Sequence, residues 1–393
     1  MKPKDEFNEG IQNGWRKDGI FQGNFIYAWD GGEVNFPEKE NVDYATFFLR
    51  CPEYRDSVED EDSFYEIKWN ETIETSSGDC KILSIFLIAR YVSLISEIIR
   101  CGLKKDYVIR EENLKSKVRG RILQKQNIRK NILSGHIERF YCSFQEYTED
   151  IPVNRFHKAV LQECLHIIQD QGRSVIKSNP LISAINRCLS NMQHIETASN
   201  LRGNIRSHQS PHGKLFRNYE KGLELARMIL KLQTGQFYQE EGGKTFSLPK
   251  FWIYLPTMFE HYVYGHLNLN YQIDIQPKGF LGQRADYIVR TEPQMVIDVK
   301  YKYWYKTVSK DNIDALLKDC RQIACYARDE SFFPKTSDSN VLCVLVYPVF
   351  EKRERKNAPK FGIFENEQFG DVERIKGLRD YYKVGIAMPA IDD

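Results

Sequence analysis

Residues 284–306 read Arg-Ala-Asp-Tyr-Ile-Val-Arg-Thr-Glu-Pro-Gln-Met-Val-Ile-Asp-Val-Lys-Tyr-Lys-Tyr-Trp-Tyr-Lys. Two short β-branched runs, 286–290 and 295–300, flank Thr291-Glu292-Pro293-Gln294, which predicts a β-hairpin turning at Pro293. Side chains alternate along a strand, so Asp298 and Lys300 share a face. Asp286, at the start of the partner strand, is expected beside Asp298. A strand this apolar does not place two charges on one face without a reason, because an unpaired buried charge is strongly unfavourable. Two carboxylates can hold a hard divalent cation, with the ammonium next to the water that the cation polarises. That is the Asp…Asp-x-Lys pattern of metal-dependent phosphodiester cleavage. The same residues also fit an ordinary cross-strand ion pair between Asp286 and Lys300, worth little where exposed.

Both flanks add to the pattern. Upstream, residues 250–267 predict a helix with the apolar stripe Trp252, Leu255, Phe259, Tyr262, Val263 and Leu267. Glu260 lies next to that stripe, either as a third metal ligand delivered toward Asp286 and Asp298 or as a surface residue. A strand is expected at 271–275. Downstream, Lys302, Lys306 and Lys310 interleave with Tyr301, Tyr303, Trp304 and Tyr305, a mixture suited to gripping phosphates and stacking on bases. Residues 312–329 predict a second helix, on which Gln322 and Tyr326 stand four apart and so share a face. Their polar ends would orient a water or a phosphate. Residues 341–348 form an apolar run suited to the middle of a covered sheet. Helix, paired strands with acids, helix and strand together predict an α/β architecture, a sheet with helices on its faces.

The chain has 393 residues, enough for two or three domains. With 41% hydrophobic and 28% charged residues, wholesale disorder is excluded. A net charge of +2 leaves any nucleic-acid surface to be local. Nine scattered cysteines without a C-x-x-C pair point to a reducing cytoplasm. No signal peptide is read at the start, and the apolar stretch 82–99 contains Arg90 and Glu97, which favours a buried helix over a membrane span.

Residues 1–75 alternate Gly, Asn, Asp and aromatics, predicting short strands and turns, one of them at Asp30-Gly31-Gly32. A long apolar helix is expected at 81–100. Residues 101–139 carry eleven Lys or Arg against four acids, a local +7 that is either a solvated face or a contact with nucleic acid or an acidic partner. Helical periodicity returns at 156–168 and 219–232. His157 and His166 have no Asp or Cys at i+4 and read as structural, and Pro211 between His208 and His212 argues against a zinc pair. The Gly242-Gly243-Lys244-Thr245 run imitates a nucleotide loop, but Tyr238 stands where that loop needs glycine. Any ATP or GTP chemistry therefore belongs to a partner.

Phe259-Glu260, Asp286, Asp298-Val299-Lys300 and Gln322-Ile323-Ala324-Cys325-Tyr326 together resemble the PD-(D/E)xK nuclease superfamily, in the branch with a Gln-x-x-x-Tyr helix. The nearer resemblance is to McrC, the nuclease subunit of modification-dependent restriction systems. It extends upstream through Val118-Arg119-Gly120-Arg121-Ile122 and Glu149-Asp150…Asn154-Arg155, and downstream to Leu345-Val346-Tyr347-Pro348. Ala285 replaces the Pro that often precedes the first acid. The resemblance covers roughly residues 80–350 and implies a mixed-sheet PD-(D/E)xK domain, taken as 246–393, and a helical or mixed partner-docking region at 76–245; residues 1–75 match nothing in it and stay a β-rich segment of unassigned role. It implies catalytic Asp286, Asp298, Lys300, Gln322 and Tyr326, with Mg²⁺ or Mn²⁺ on Asp286, Asp298 and Glu260. It further implies double-stranded DNA as substrate, a McrB-like AAA+ GTPase ring as partner, no membrane, and self-association on DNA. Two other readings stay open: a non-cleaving adaptor that activates a motor, and a stand-alone RecB-like nuclease.

Overall fold

The structure, a computed structural model, describes all residues except 1–2, 13–21, 30–33, 38–41, 52–63, 76–80, 171–178, 199–216, 234–245, 303–304, 306–311, 334–339, 351–360 and 391–393. His208, His212, the nucleotide-loop imitation, the Asp30 turn, Tyr303, Trp304, Lys306 and Lys310 lie outside the described residues. The chain is mixed α/β and divides into two compact units, 1–89 with 173–178 and 233–393, and 90–172 with 179–232. These cuts differ from a division at 75 and 245, because strand pairing joins segments distant in sequence.

The first unit begins with helix α1 (Pro3–Gln12), strands β1 (Phe25–Ala28) and β2 (Val34–Asn35), helix α2 (Tyr44–Leu49) and strand β3 (Tyr65–Thr75). The N-terminal segment therefore contains helices as well as the expected strands. Helix α3 (Ile82–Cys101) contains the boundary between the units. By length and composition it could cross a membrane, yet 72% of its most apolar window is buried inside the protein. Phe86, Leu87, Ile88 and Ala89 are fully buried, as expected of a core helix.

The second unit opens with strands β4 (Asp106–Lys115) and β5 (Arg121–Ile122), helix α4 (Gln124–Asn127) and strand β6 (Arg139–Thr148). Helices α5 (Pro152–Asp170), α6 (Asn179–Asn191) and α7 (Arg217–Gln233) follow. The basic segment thus contributes β4 and β5 to a three-stranded antiparallel sheet in the order β4-β6-β5. Part of its charge is met by acids of β6 and just past its end: Arg110 meets Glu146 and Asp150, Arg119 meets Glu146, and Lys105 meets Glu149. Asp150 also takes a two-pronged hydrogen bond from Arg155 at 2.7 and 2.6 Å and another from the Glu196 N–H. Asn154, at the start of α5, donates to the Lys104 and Glu149 carbonyls and accepts from Tyr219 of α7. His157 is a core residue, its Nδ1 3.0 Å from the Tyr91 hydroxyl, while His166 is exposed.

The chain then returns to the first unit with strand β7 (Phe246–Tyr254) and helix α8 (Leu255–His266). Residues 250–254 were expected to be helical and are strand. Phe251-Trp252-Ile253-Tyr254 suits a pleated surface, and Pro256 opens the helix only after it. β7 pairs antiparallel with β1 and β3, giving a sheet in the order β2-β1-β7-β3. Trp252 is buried there, stacked on Phe7 at 5.5 Å.

Strands β8 (Ile273–Ile275), β9 (Tyr287–Val289) and β10 (Met295–Val299), helix α9 (Ile313–Ala327) and strands β11 (Leu342–Val349), β12 (Phe369–Arg374) and β13 (Tyr381–Ala387) complete the unit. They form a six-stranded sheet in the order β12-β13-β11-β10-β9-β8. The 286–300 hairpin is present, with Met295 opposite Val289 and Ile297 opposite Tyr287. β11 is central, parallel to both β10 and β13, and buried along nearly all its length. α9 packs on the face carrying Ile288, Val296, Cys343, Leu345 and Tyr347.

One backbone position is testable. Gly120 holds φ +65°, and a Cβ there would lie 2.5 Å from the Ser143 carbonyl oxygen and 2.7 Å from Phe144 Cβ. Gly120→Ala is expected to destabilise the chain by about 1–3 kcal/mol from backbone strain alone, with the steric clash in addition. Denaturant unfolding of the two proteins measures this, and an unchanged midpoint would contradict it.

Candidate active site

The β9–β10 register, continued by one pair, sets Asp286 opposite Asp298. Alternation sends both carboxylates and Lys300 to the face covered by α9, beyond Ile288 and Val296. The parallel ladder continues past β10, since the Lys300 N–H donates to the Val346 carbonyl at 2.8 Å. This keeps the backbone straight where the charges begin.

Asp286 Oδ2 accepts the Val299 N–H at 2.6 Å, which ties the first acid to the strand of the second. Asp298 is only 1% exposed. Lys300 Nζ lies 2.8 Å from Asp298 Oδ2, a buried, charge-assisted contact. The same Nζ donates to Gln322 Oε1 at 3.1 Å, and Gln322 Nε2 donates to the Tyr326 hydroxyl at 2.9 Å. Asp286, Asp298, Lys300, Gln322 and Tyr326 are therefore brought together, three from the hairpin and two from α9.

The electrostatics follow from burial. Desolvation, reinforced by Asp298, pushes the Asp286 carboxyl up to about 7, against the opposing effects of Lys300 and the Val299 N–H. Burial also raises Asp298, with Lys300 working the other way. Burial disfavours the charged Lys300, but Asp298 and Asp286 outweigh it and hold the ammonium above its ordinary range. Glu260, on α8, is raised well above the usual carboxylate range by burial and then by Asp286. Its Oε2 accepts from Gln276 Nε2 at 3.3 Å. The one lysine therefore offsets only part of the cost of burying these carboxylates.

A cation is the natural complement. The Asp298 and Asp286 carboxylates side by side are a donor set of the hard, anionic kind that Mg²⁺ or Mn²⁺ takes, with water filling the remaining positions. Among the described residues no three His, Cys, Asp or Glu side chains stand close enough to cage a metal. Glu260 therefore does not complete a three-carboxylate cluster in this structure, although its charge is felt at Asp286.

The aromatic run behaves differently from expectation. Tyr301 and Tyr305 are buried, and Tyr305 stacks on Tyr347 at 5.8 Å, so neither is available for stacking on bases. Lys302 pairs with Asp319 of α9 at 2.7 Å, and the Tyr305 hydroxyl donates to the same carboxylate. Sequence reading missed Asp319. Its only signal was an acid one turn before Gln322 on the buried side of the helix. It also missed Gln276 and Asp329, which lie in loops where no period applies.

The family model described as "McrBC 5-methylcytosine restriction system component" matches residues 63–348. Two solved structures are similar, both from Thermococcus gammatolerans. One, a refined half-complex of McrB AAA+ hexamers with bound McrC, is 18% identical over 79% of this chain and 63% of its own, with a TM-score of 0.31. The other, a McrBC complex, is 13% identical over 62% of this chain and 65% of its own, with a TM-score of 0.32. The chain thus spans less than two thirds of either neighbour, and likeness of that degree decides nothing about the site. No curated protein matches.

The carboxylate pair generates a stability prediction. An Asp whose folded pKa is raised binds a proton more tightly in the folded state, so stability falls as pH rises from the unfolded value toward the folded one. In chelator, Asp286→Asn should therefore become increasingly more stable than the wild type between about pH 4 and 7, with a constant gap above that. Added Mg²⁺ should narrow the gap by binding the folded wild type. Melting curves across pH test this, and a pH-independent gap would refute it.

Proposed function

The chain belongs to the family of McrBC 5-methylcytosine restriction system components, and from that membership we propose that it is the nuclease subunit, a metal-dependent endonuclease acting on double-stranded DNA. The observation that carries the reading is the pair of buried carboxylates Asp286 and Asp298, both raised by burial, with the Lys300 ammonium 2.8 Å from Asp298 Oδ2. The arrangement has the composition of a PD-(D/E)xK site.

Asp286 and Asp298, with the Val299 carbonyl, would hold Mg²⁺ or Mn²⁺, which supplies an activated water and offsets charge on the phosphate. Lys300 stays protonated next to the acids and presents its ammonium to the phosphorane oxygens as charge develops there. Gln322 fixes Lys300 Nζ through its Oε1, and Tyr326 fixes the Gln322 amide in turn. This chain of contacts leaves Lys300 little rotamer freedom, so little reorganisation is needed at the moment of reaction.

The second unit suits a docking role on a McrB-like AAA+ GTPase ring, whose hydrolysis it would stimulate. Leu133 and Ile137 are 77% and 78% exposed, and Ile128 and Ile132 are about half exposed beside Arg129 and Lys130. A patch of that kind on one segment is better suited to a partner than to water. Cutting both DNA strands would bring two copies of the chain together.

Purified chain, alone and with its ring, is expected to nick or linearise circular plasmid in Mg²⁺ or Mn²⁺. Asp298→Ala should abolish cleavage with the fold and ring binding intact, and Lys300→Ala should slow it by about 10²–10⁴-fold. Full cleavage by Asp298→Ala would sink the assignment. Stimulated nucleotide turnover with DNA left whole by the wild type would establish the adaptor reading instead.

A further inference from the structure

Between β8 and β9 the chain makes a short projecting loop whose base is Asp286 itself, since the Gln276 N–H donates to the Asp286 carbonyl at 2.9 Å. The two arms stay paired: Ala285 N–H to the Pro277 carbonyl at 3.3 Å, a bridge between Lys278 and Arg284, and Gly279 N–H to the Gln283 carbonyl at 2.7 Å. Gly279-Phe280-Leu281-Gly282 closes the tip as a β-turn, with the Gly282 N–H on the Gly279 carbonyl at 3.0 Å and Gly282 at φ +83°. At that tip Phe280 and Leu281 are 87% and 86% exposed. Single exposed apolar residues are ordinary. Two large ones side by side on a pinned turn are not.

The pinning is specific. Asp329, just past the end of α9, accepts the Phe280 N–H at 3.0 Å and Gln283 Nε2 at 2.6 Å with one oxygen. Its other oxygen takes the Ser331 N–H and hydroxyl at 2.9 and 2.6 Å. Gly279 lies so close that a Cβ there would sit 2.5 Å from Asp329 Oδ2. The residue that seats the turn thus lies just beyond the helix that carries Gln322 and Tyr326. Lys278 and Arg284, both exposed, flank the apolar tip with positive charge.

We propose that Phe280 and Leu281 form a wedge that enters duplex DNA beside the cleavage site, with Lys278 and Arg284 on the adjoining phosphates. The inference rests on the nuclease reading of Asp286 and Asp298. Three features favour DNA over a protein surface. The tip is apolar but bordered by cations, it is rigid enough to press into a base stack, and at about 3.3 Å per residue it stands within ~15 Å of Asp286. Apolar wedges of Phe or Leu unstack a base step and bend the duplex, which changes the presentation of the neighbouring phosphate.

The test uses the inactive Asp298→Asn chain, with its ring where the chain alone does not bind, on a mixed-sequence duplex probed with permanganate, which oxidises unstacked thymines. Bound Asp298→Asn should raise thymine reactivity at discrete positions. Adding Phe280→Ala and Leu281→Ala should return it to the level of free duplex, with an unchanged melting temperature. Weakened binding should be restored on a duplex carrying a mismatch, where the base step is already open. In otherwise wild-type protein the double substitution should slow cleavage of paired DNA more than of mismatched DNA. Unchanged reactivity in the double variant overturns the wedge. So does a double variant that distorts DNA normally but fails to stimulate the ring or to self-associate, which would make the tip a protein contact. Cleavage by the wild type without base unstacking sinks the wedge alone, whereas absence of both binding and cleavage removes the nuclease reading with it.

Discussion

Desolvation of charge at one end of β10 sets the terms for what surrounds it. Asp286, Asp298 and Lys300 leave water together, and a lone buried ion would cost several kcal/mol. The surroundings answer with a small number of directed contacts. One N–H reaches Asp286, one ammonium reaches Asp298, and one amide from α9 holds that ammonium. The compensation is incomplete, since both acids remain raised. Strongly perturbed ionisable groups of this kind are more common at functional sites than in cores built for stability alone.

Helix α9 is the element that makes this possible. Its apolar side, Leu316, Cys320 and Ile323, seals the sheet. Asp319 fastens Lys302 and Tyr305 and so fixes the segment that follows Lys300. Gln322 and Tyr326 reach the lysine itself, and Asp329 seats the loop before Asp286. One rigid helix thereby positions both strands of the hairpin and both of its approaches.

The second unit shows that a motif can owe its residues to architecture. Gly120 is required because no Cβ fits against Ser143 and Phe144. Asp150 and Arg155 link the end of β6 to α5, and Asn154 joins α5 to α7 through Tyr219. These positions carried the resemblance upstream of the candidate site, yet each is engaged in holding a small sheet to its helices. Leu133 and Ile137 stay outside these contacts and exposed.

Local pattern determined a good deal by itself. Period-2 alternation in 286–300 sufficed for the hairpin, its register and the shared face of Asp298 and Lys300, because a strand's geometry is local. Helical spacing sufficed for α5, α7, α9 and the buried α3. Residues 250–254 failed because a short apolar aromatic run satisfies either period, and only pairing with β1 and β3 decides for strand. Tertiary structure alone decided that Tyr301 and Tyr305 are core, that Asp319 and Asp329 are anchors, and that Gln276 meets Glu260. It also decided that the N-terminal strands belong with β7 in one sheet. The physical reason is the same in each case: sequence spacing records which side chains share a face, whereas burial and hydrogen bonding between distant segments depend on which faces meet.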